Sequence, residues 1–284
     1  DYYASRGLGD VYKRQLLHCT SNTAPIHCPV PLVLTLHDII FLEPRQGGNR
    51  SWYQNMGWYY RRMVVPRILS QCEKIITVSH FECNRIREAL QLPKDKITAI
   101  YNGYSEHFRP LSETLSITRK YIDDDDYIFF LGNTDPKKNV ARTLKAYSLY
   151  LKQSDKKRPL LIADLSKDKL DAILREQQIE EIKPYLSYPG YIPNKDLAYL
   201  YNGAFVFLYT SLRESFGIPM LEAMACGTPV ITGNTSAMPE IAGEGGILVN
   251  SLNAKEIAEK ILYLEQDQIF YQNQIKYGLS LIHI

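Results

Sequence analysis

The chain has 284 residues, 45% apolar and 23% charged, the balance of a globular protein long enough for two domains. Its 33 basic and 31 acidic residues leave a net charge of +2 with no long basic block, which argues against nucleic acid as a partner. The five cysteines, Cys19, Cys28, Cys72, Cys83 and Cys226, include no Cys-x-x-Cys pair, so neither a disulfide framework nor a zinc ribbon is indicated, and no apolar run reaches the roughly 18 residues that span a bilayer.

Residues 1–15 and 279–284 show neither caps nor periodicity continuous with their neighbours. They are expected to be a non-native leader and tail around a text cut at both ends. Between them, apolar runs predict strands at residues 30–40, 74–80 and 96–102, and again at 127–133, 159–164, 204–210, 229–232 and 246–249. Most are apolar almost throughout, as strands covered on both faces must be. Helical faces alternate with them: Val140, Leu144, Tyr147 and Leu151; Leu170, Ile173 and Leu174; Ile257, Ile261 and Leu264. This alternation predicts an α/β fold with open, mostly parallel sheets. A polar stretch with an acidic run, residues 111–126, is the predicted linker between a partial N-terminal domain, 16–110, and a fuller C-terminal one, 127–278.

Residues 49–69 mix five Trp and Tyr residues with Arg50, Arg61, Arg62 and Arg67. Their first reading is a helix packed on the sheet; the second is a seat for peripheral contact with an anionic membrane surface. Asp123 to Asp126 precede a strand rather than follow one, so they read as solvated charge and not as a metal site.

Chemistry concentrates in ESFGIPMLEAMACG, residues 214–227. A strand ends at Thr210, Pro219 suits the first turn of a helix, and Gly227 stops that helix. Ligands of such sheets lie beyond the carboxyl ends of strands, so Glu214 is expected on a crevice loop. Glu222 is the one polar side chain of its helix and has no local partner three or four residues away. It needs a remote partner or a ligand such as a ribose diol, because an unpaired buried carboxylate is costly. In GNTDPKKN, residues 132–139, Asn139 is a predicted N-cap with Lys137 and Lys138 beside it. Cations at a helix N-terminus are unfavourable, so either an anion such as a diphosphate sits there or the two flexible lysines point to water. Neither Gly-x-Gly-x-x-Gly nor Gly-x-x-x-x-Gly-Lys-Ser/Thr occurs, which disfavours dinucleotide and P-loop sites.

The Glu-x7-Glu pattern from Glu214 to Glu222, with TLHDIIFL (35–42), VSHFECNRI (78–86), KITAIYNGYSEHFRP (96–110), FLGNTDPKKN (130–139) and PGYIPNKDLAYLYNGAFVFLYTS (189–211), resembles the family 4 retaining glycosyltransferases. The resemblance implies a GT-B fold of two Rossmann-like parallel-sheet domains facing a cleft, with the N-terminal one incomplete. It implies transfer of a hexose, mannose first, from a nucleotide-diphosphate sugar to a glycan or lipid-linked acceptor in polysaccharide biosynthesis, with no metal or other cofactor; the odd, scattered cysteines independently predict a reducing cytoplasm. By the same resemblance Glu214 contacts the donor sugar, Glu222 the ribose, backbone at Ser215, Phe216 and Gly217 the sugar and diphosphate, and Lys138 the departing diphosphate. Asn133 stands where many relatives carry an arginine, backbone at Tyr191 and Ile192 holds the base, and His37 faces the reacting sugar. The rival expectations are a GT-B epimerase or phosphorylase, and a non-catalytic nucleotide-sugar-binding module or inactive fragment.

Overall fold

The computed structural model describes residues 15–43, 52–133 and 135–282. Its contacts divide the chain into two compact units that meet in sequence between Tyr101 and Asn102.

The first unit carries β1 (Leu17–Cys19), β2 (Leu32–Thr35), α1 (Trp52–Gln71), β3 (Cys72–Thr77), α2 (His80–Leu90) and β4 (Ile97–Ala99). All four strands are parallel, in the order β1-β2-β3-β4. Leu32, Leu34, Ile75 and Ile97 of the sheet pack against Val64, Val65, Ile68 and Leu69 of α1 and Ile86 of α2 in one core. Ser79 starts α2 by accepting the Glu82 N–H, the usual exchange at a helix N-cap. Helix α1 is apolar on two sides: the face with Val64, Val65, Ile68 and Leu69 is buried, whereas Trp52, Met56, Tyr59, Tyr60 and Met63 are exposed.

The second unit carries α3 (Leu115–Thr118), β5 (Tyr127–Leu131), α4 (Val140–Leu151), β6 (Leu160–Ala163), α5 (Lys167–Gln177), β7 (Leu186–Gly190), α6 (Asn194–Gly203), β8 (Ala204–Tyr209), α7 (Ile218–Ala225), β9 (Val230–Gly233), α8 (Met238–Ala242), β10 (Gly246–Val249), α9 (Ala254–Gln266) and α10 (Gln268–Ile282). Its strands form a wholly parallel sheet ordered β10-β9-β8-β5-β6-β7. Alternation along β5 sends Ile128 and Phe130 into the core with Leu144, Tyr147, Leu170 and Ile257. Phe129 faces the other way, into an aromatic cluster with Tyr201 (centroids 5.3 Å apart) and Phe207 (5.6 Å).

The two sheets hold four and six strands among the described residues, not three and five. The additions, β1 and β7, lie at sheet edges; only half buried, they lack the continuous apolar run that marks a central strand. The expected linker, residues 111–126, is folded onto the second unit. Phe108 just before it packs edge-on against Tyr201, the Leu111 N–H reaches Asn202 Oδ1 at 2.8 Å, and Tyr121 donates to Asp196 at 2.5 Å. Within the acidic run, Asp125 pairs with Arg119 and Asp126 with the buried Arg158, so the run is partly anchored. Residues 279–282, set aside as a tail, continue α10, which lies so close to the turn before β10 that a Cβ on Gly245 would sit 2.9 Å from Gly278 Cα. Of the expected leader, residues 1–14 lie outside the described residues.

Candidate donor site

In the six-stranded sheet β5 lies between β8 and β6, so the chain winds away from β5 in opposite directions on its two sides. The loops leaving β5 and β8 therefore flank the point where the strand order reverses at the carboxyl edge, the standard binding position of an open parallel sheet.

The loop after β5 is built by its own polar side chains. Asn133 Oδ1 accepts the Asp135 N–H at 2.8 Å, and Asp135 Oδ1 accepts the Lys137 N–H at 3.0 Å. A 3-10 turn, Pro136–Lys138, follows, and Asn139 then takes a left-handed conformation, φ 59°, at the start of α4. Asn139 occupies the predicted N-cap position, but its side chain does not cap. Its amide donates to the carbonyls of Thr210 (3.1 Å) and Ser251 (2.6 Å), and its oxygen accepts from Arg142. Those bonds tie the loops after β5, β8 and β10 together, and the Leu212 N–H adds a 2.7 Å bond to the Lys137 carbonyl.

The loop after β8 is held from the other side. The Glu214 N–H donates to Ser236 Oγ at 3.0 Å, and Thr235 Oγ1 donates to the Leu212 carbonyl. Gly217, at φ 104° and ψ 51°, turns the chain into α7, whose second residue is Pro219. Phe216 is buried beneath this turn.

These constraints bring Lys138 and Glu214, 76 residues apart, to 2.8 Å between Nζ and Oε1, with side chains 16% and 12% exposed. The same ammonium lies 4.9 Å from the centre of the Tyr209 ring, at the end of β8. Glu222, on α7, receives a 3.4 Å bond from Tyr201. Burial drives its carboxyl up to about 7, and the Tyr201 hydrogen bond opposes that rise. The Tyr209 phenol is pushed up by burial first, then by the charge of Glu214 and a hydrogen bond to it, and last by the charge of Glu222. Among the described residues no group of three His, Cys, Asp or Glu is arranged to hold a metal ion.

Tyr191 and Ile192 follow β7, at the same carboxyl edge but two strands from β5; Tyr191 is exposed and Ile192 buried. His37 belongs to the first unit, just after β2, where its N–H reaches Asn22 Oδ1 at 2.7 Å and its ring Nε2 bonds the Thr20 carbonyl at 3.0 Å. Sequence reasoning missed Tyr201, Tyr209 and Ser236. Tyr209 carried a usable signal, since it alternates with Phe205 and Phe207 along one face of its strand.

Two family models cover most of the chain: glycosyl transferases group 1 over residues 115–280, and glycosyltransferase family 4 over residues 8–107. The chain belongs to the family 4 glycosyltransferases. Both matches reach into the segments set aside as leader and tail. This glycosyltransferase is 29% identical over 273 residues to O-antigen chain mannosyltransferase B of Escherichia coli, covering 95% of this chain and 70% of the relative. It is 26% identical to the serotype-specific mannosyltransferase WbdA of Escherichia coli, again over most of this chain (93%) but only 33% of the longer relative. Among solved structures it matches sucrose-phosphate synthase from Thermosynechococcus elongatus (TM-score 0.75, 20% identity, 96% of this chain and 70% of that one). It also matches Anabaena HepE in complex with UDP (TM-score 0.70, 18% identity, 89% and 67%). The fold is GT-B, with two parallel-sheet α/β units, as the sequence resemblance implied.

Proposed function

We propose that this glycosyltransferase moves a hexose, mannose before others, from a nucleotide-diphosphate sugar to a hydroxyl of a glycan or lipid-linked acceptor in polysaccharide biosynthesis, with retention of configuration. The observation that carries the reading is the meeting of Lys138 and Glu214 at the crevice between β5 and β8, beside the N-terminus of α7. A cation and backbone N–H groups there suit a diphosphate, and carboxylates suit the hydroxyls on either side of it. Mannose is favoured because the relatives above are mannosyltransferases by name, and a nucleotide donor because HepE was solved with UDP. GDP-mannose is the first candidate donor and UDP-linked sugars the second.

In this reading the anomeric carbon becomes cation-like as its bond to the diphosphate breaks. Lys138 and the backbone at Ser215, Phe216 and Gly217 stabilise the departing negative charge in place, without solvent reorganisation. Glu214 holds sugar hydroxyls, Glu222 the ribose, backbone at Tyr191 and Ile192 the base, and Asn133 shapes the phosphate side of the crevice. His37, in the first unit, is a catalytic candidate by the family resemblance. The acceptor attacks from the leaving-group side and a diphosphate oxygen takes its proton, so the chemistry proceeds without a metal or a covalent enzyme intermediate.

The exposed Trp52, Met56, Tyr59, Tyr60 and Met63 on α1, with Arg61 and Arg67 on the same helix, favour peripheral contact with an anionic membrane where lipid-linked acceptors reside. No helix among the described residues is long and apolar enough to cross a membrane.

The test is incubation with labelled GDP-mannose or UDP-glucose and a mannose-terminated acceptor, with the anomeric configuration of product read by NMR. Transfer with retention, abolished in Glu214→Ala and His37→Ala, supports the enzyme. Donor binding without transfer, unchanged by either substitution, favours a binding module.

A further inference from the structure

Lys138 and Glu214 satisfy each other in the ligand-free protein. Their 2.8 Å contact is largely shielded from water, and the Tyr209 ring on a neighbouring side of the ammonium adds a face that attracts cations but gives nothing to anions. Any anion approaching Lys138 therefore meets a carboxylate already in place, on a loop pinned by Ser236 and by the Asn139 amide.

Given the donor site proposed above, we infer that the Glu214 carboxylate discriminates between the nucleotide-sugar donor and the nucleoside diphosphate left after transfer, holding the first and expelling the second. The chemistry lies in donors and acceptors. An ionised carboxylate only accepts hydrogen bonds, as does a phosphate. When a donor places its diphosphate on Lys138, its sugar hydroxyls replace the ammonium protons that Glu214 has to share. When the sugar has left, the remaining diphosphate brings acceptors alone, and a shielded carboxylate is left facing an anion with one ammonium between them. Loss of the sugar thus converts a satisfied site into a repulsive one, which speeds departure of the product. The Tyr209 phenol, kept protonated by burial and by Glu214, hydrogen-bonds the Glu214 carboxylate as a neutral donor, so it steadies Glu214 without cancelling its charge.

Calorimetric titration of the whole chain with GDP and GDP-mannose, and with UDP and UDP-glucose, tests this on whichever pair binds. In the unaltered protein the sugar nucleotide is to bind tighter than its diphosphate. Glu214→Gln removes the charge, and the diphosphate is to bind at least about fivefold tighter, so that the preference disappears or reverses. Glu214→Ala gives the same readout should the glutamine variant not fold, and Glu214→Asp, which keeps the charge, is to keep the preference. If Lys138→Met weakens both ligands but neither neutral variant alters their ratio, the discrimination is overturned while the donor site stands. If no nucleotide binds, or Lys138→Met leaves both affinities unchanged, the donor site itself fails and the discrimination with it.

Discussion

The Tyr201 hydroxyl donates to Glu222 Oε2 at 3.4 Å, and this hydrogen bond joins a fully buried ring on α6 to a half-buried carboxylate on α7. A neutral phenol is a weak substitute for a cation. It leaves desolvation dominant, and the Glu222 carboxyl rises from the ordinary 4.5 to about 7.

Stability should therefore depend on pH in a defined direction. An acid whose native pKa lies above its unfolded one holds more protons when folded, so its contribution is complete below about 4.5 and is lost as pH rises to about 7. The span is about 3 kcal/mol. Urea unfolding at pH 5 and pH 8 should show that part of the loss in the unaltered chain, and Glu222→Gln should remove it.

Nucleotide affinity should run the opposite way. In the proposed donor site a ribose diol donates to the ionised carboxylate, so binding below pH 7 must expel a proton, and Kd should fall by up to about tenfold per unit rise in pH until Glu222 is ionised. Calorimetry in buffers of different ionisation enthalpy reads the released proton directly. In Glu222→Gln neither the proton release nor the slope should remain.

The turn between the two carboxylates depends on Gly217. A Cβ there would meet Met220 Cε at 2.6 Å, a flexible end that can move, but φ 104° is strained for any L side chain. Gly217→Ala should cost about 1–3 kcal/mol, seen as a lower Tm. Because the backbone N–H groups of the turn are re-aimed, nucleotide affinity should fall too.

Arg158 should separate stability from binding. It is 5% exposed, bonds Asp126 and Glu265 at 2.5 Å each, and stacks 3.7 Å over Phe205. Asp126 precedes β5 and Phe205 is the second residue of β8, so this network lies at the amino ends of the strands, away from the loops that carry Lys138 and Glu214. Arg158→Met leaves Glu265 buried without its cation, although Tyr150 and Ser154 still donate to it. Thermal unfolding should show a loss of about 3 kcal/mol, with nucleotide Kd unchanged.

What could be read in advance divides by range. Central strands such as β5 and β8 stand out because burial on both faces demands continuous apolar text. The edge strand β7 does not, since Ser187 and Pro189 are tolerated where one side is unpaired. Within the site, the need of Glu222 for a remote partner followed from its apolar helix, but Tyr201 as that partner did not, because only the packing of α6 on α7 supplies it. The Lys138–Glu214 pair was likewise hidden, since each residue was read for a ligand and neither for the other. Asn139 shows the reverse error: its position at the start of α4 was right, and its side chain serves the neighbouring loops instead.

The central claim is that Lys138 and Glu222 mark one nucleotide-sugar site in the second unit. Its most direct test is titration of GDP-mannose and UDP-glucose into the unaltered chain and into Lys138→Ala/Glu222→Ala. Hydrogen bonds to charged groups are worth about 1.5–3 kcal/mol each, so the double variant should lose about a hundredfold or more in affinity for whichever donor binds. Undiminished binding by the double variant would contradict the account.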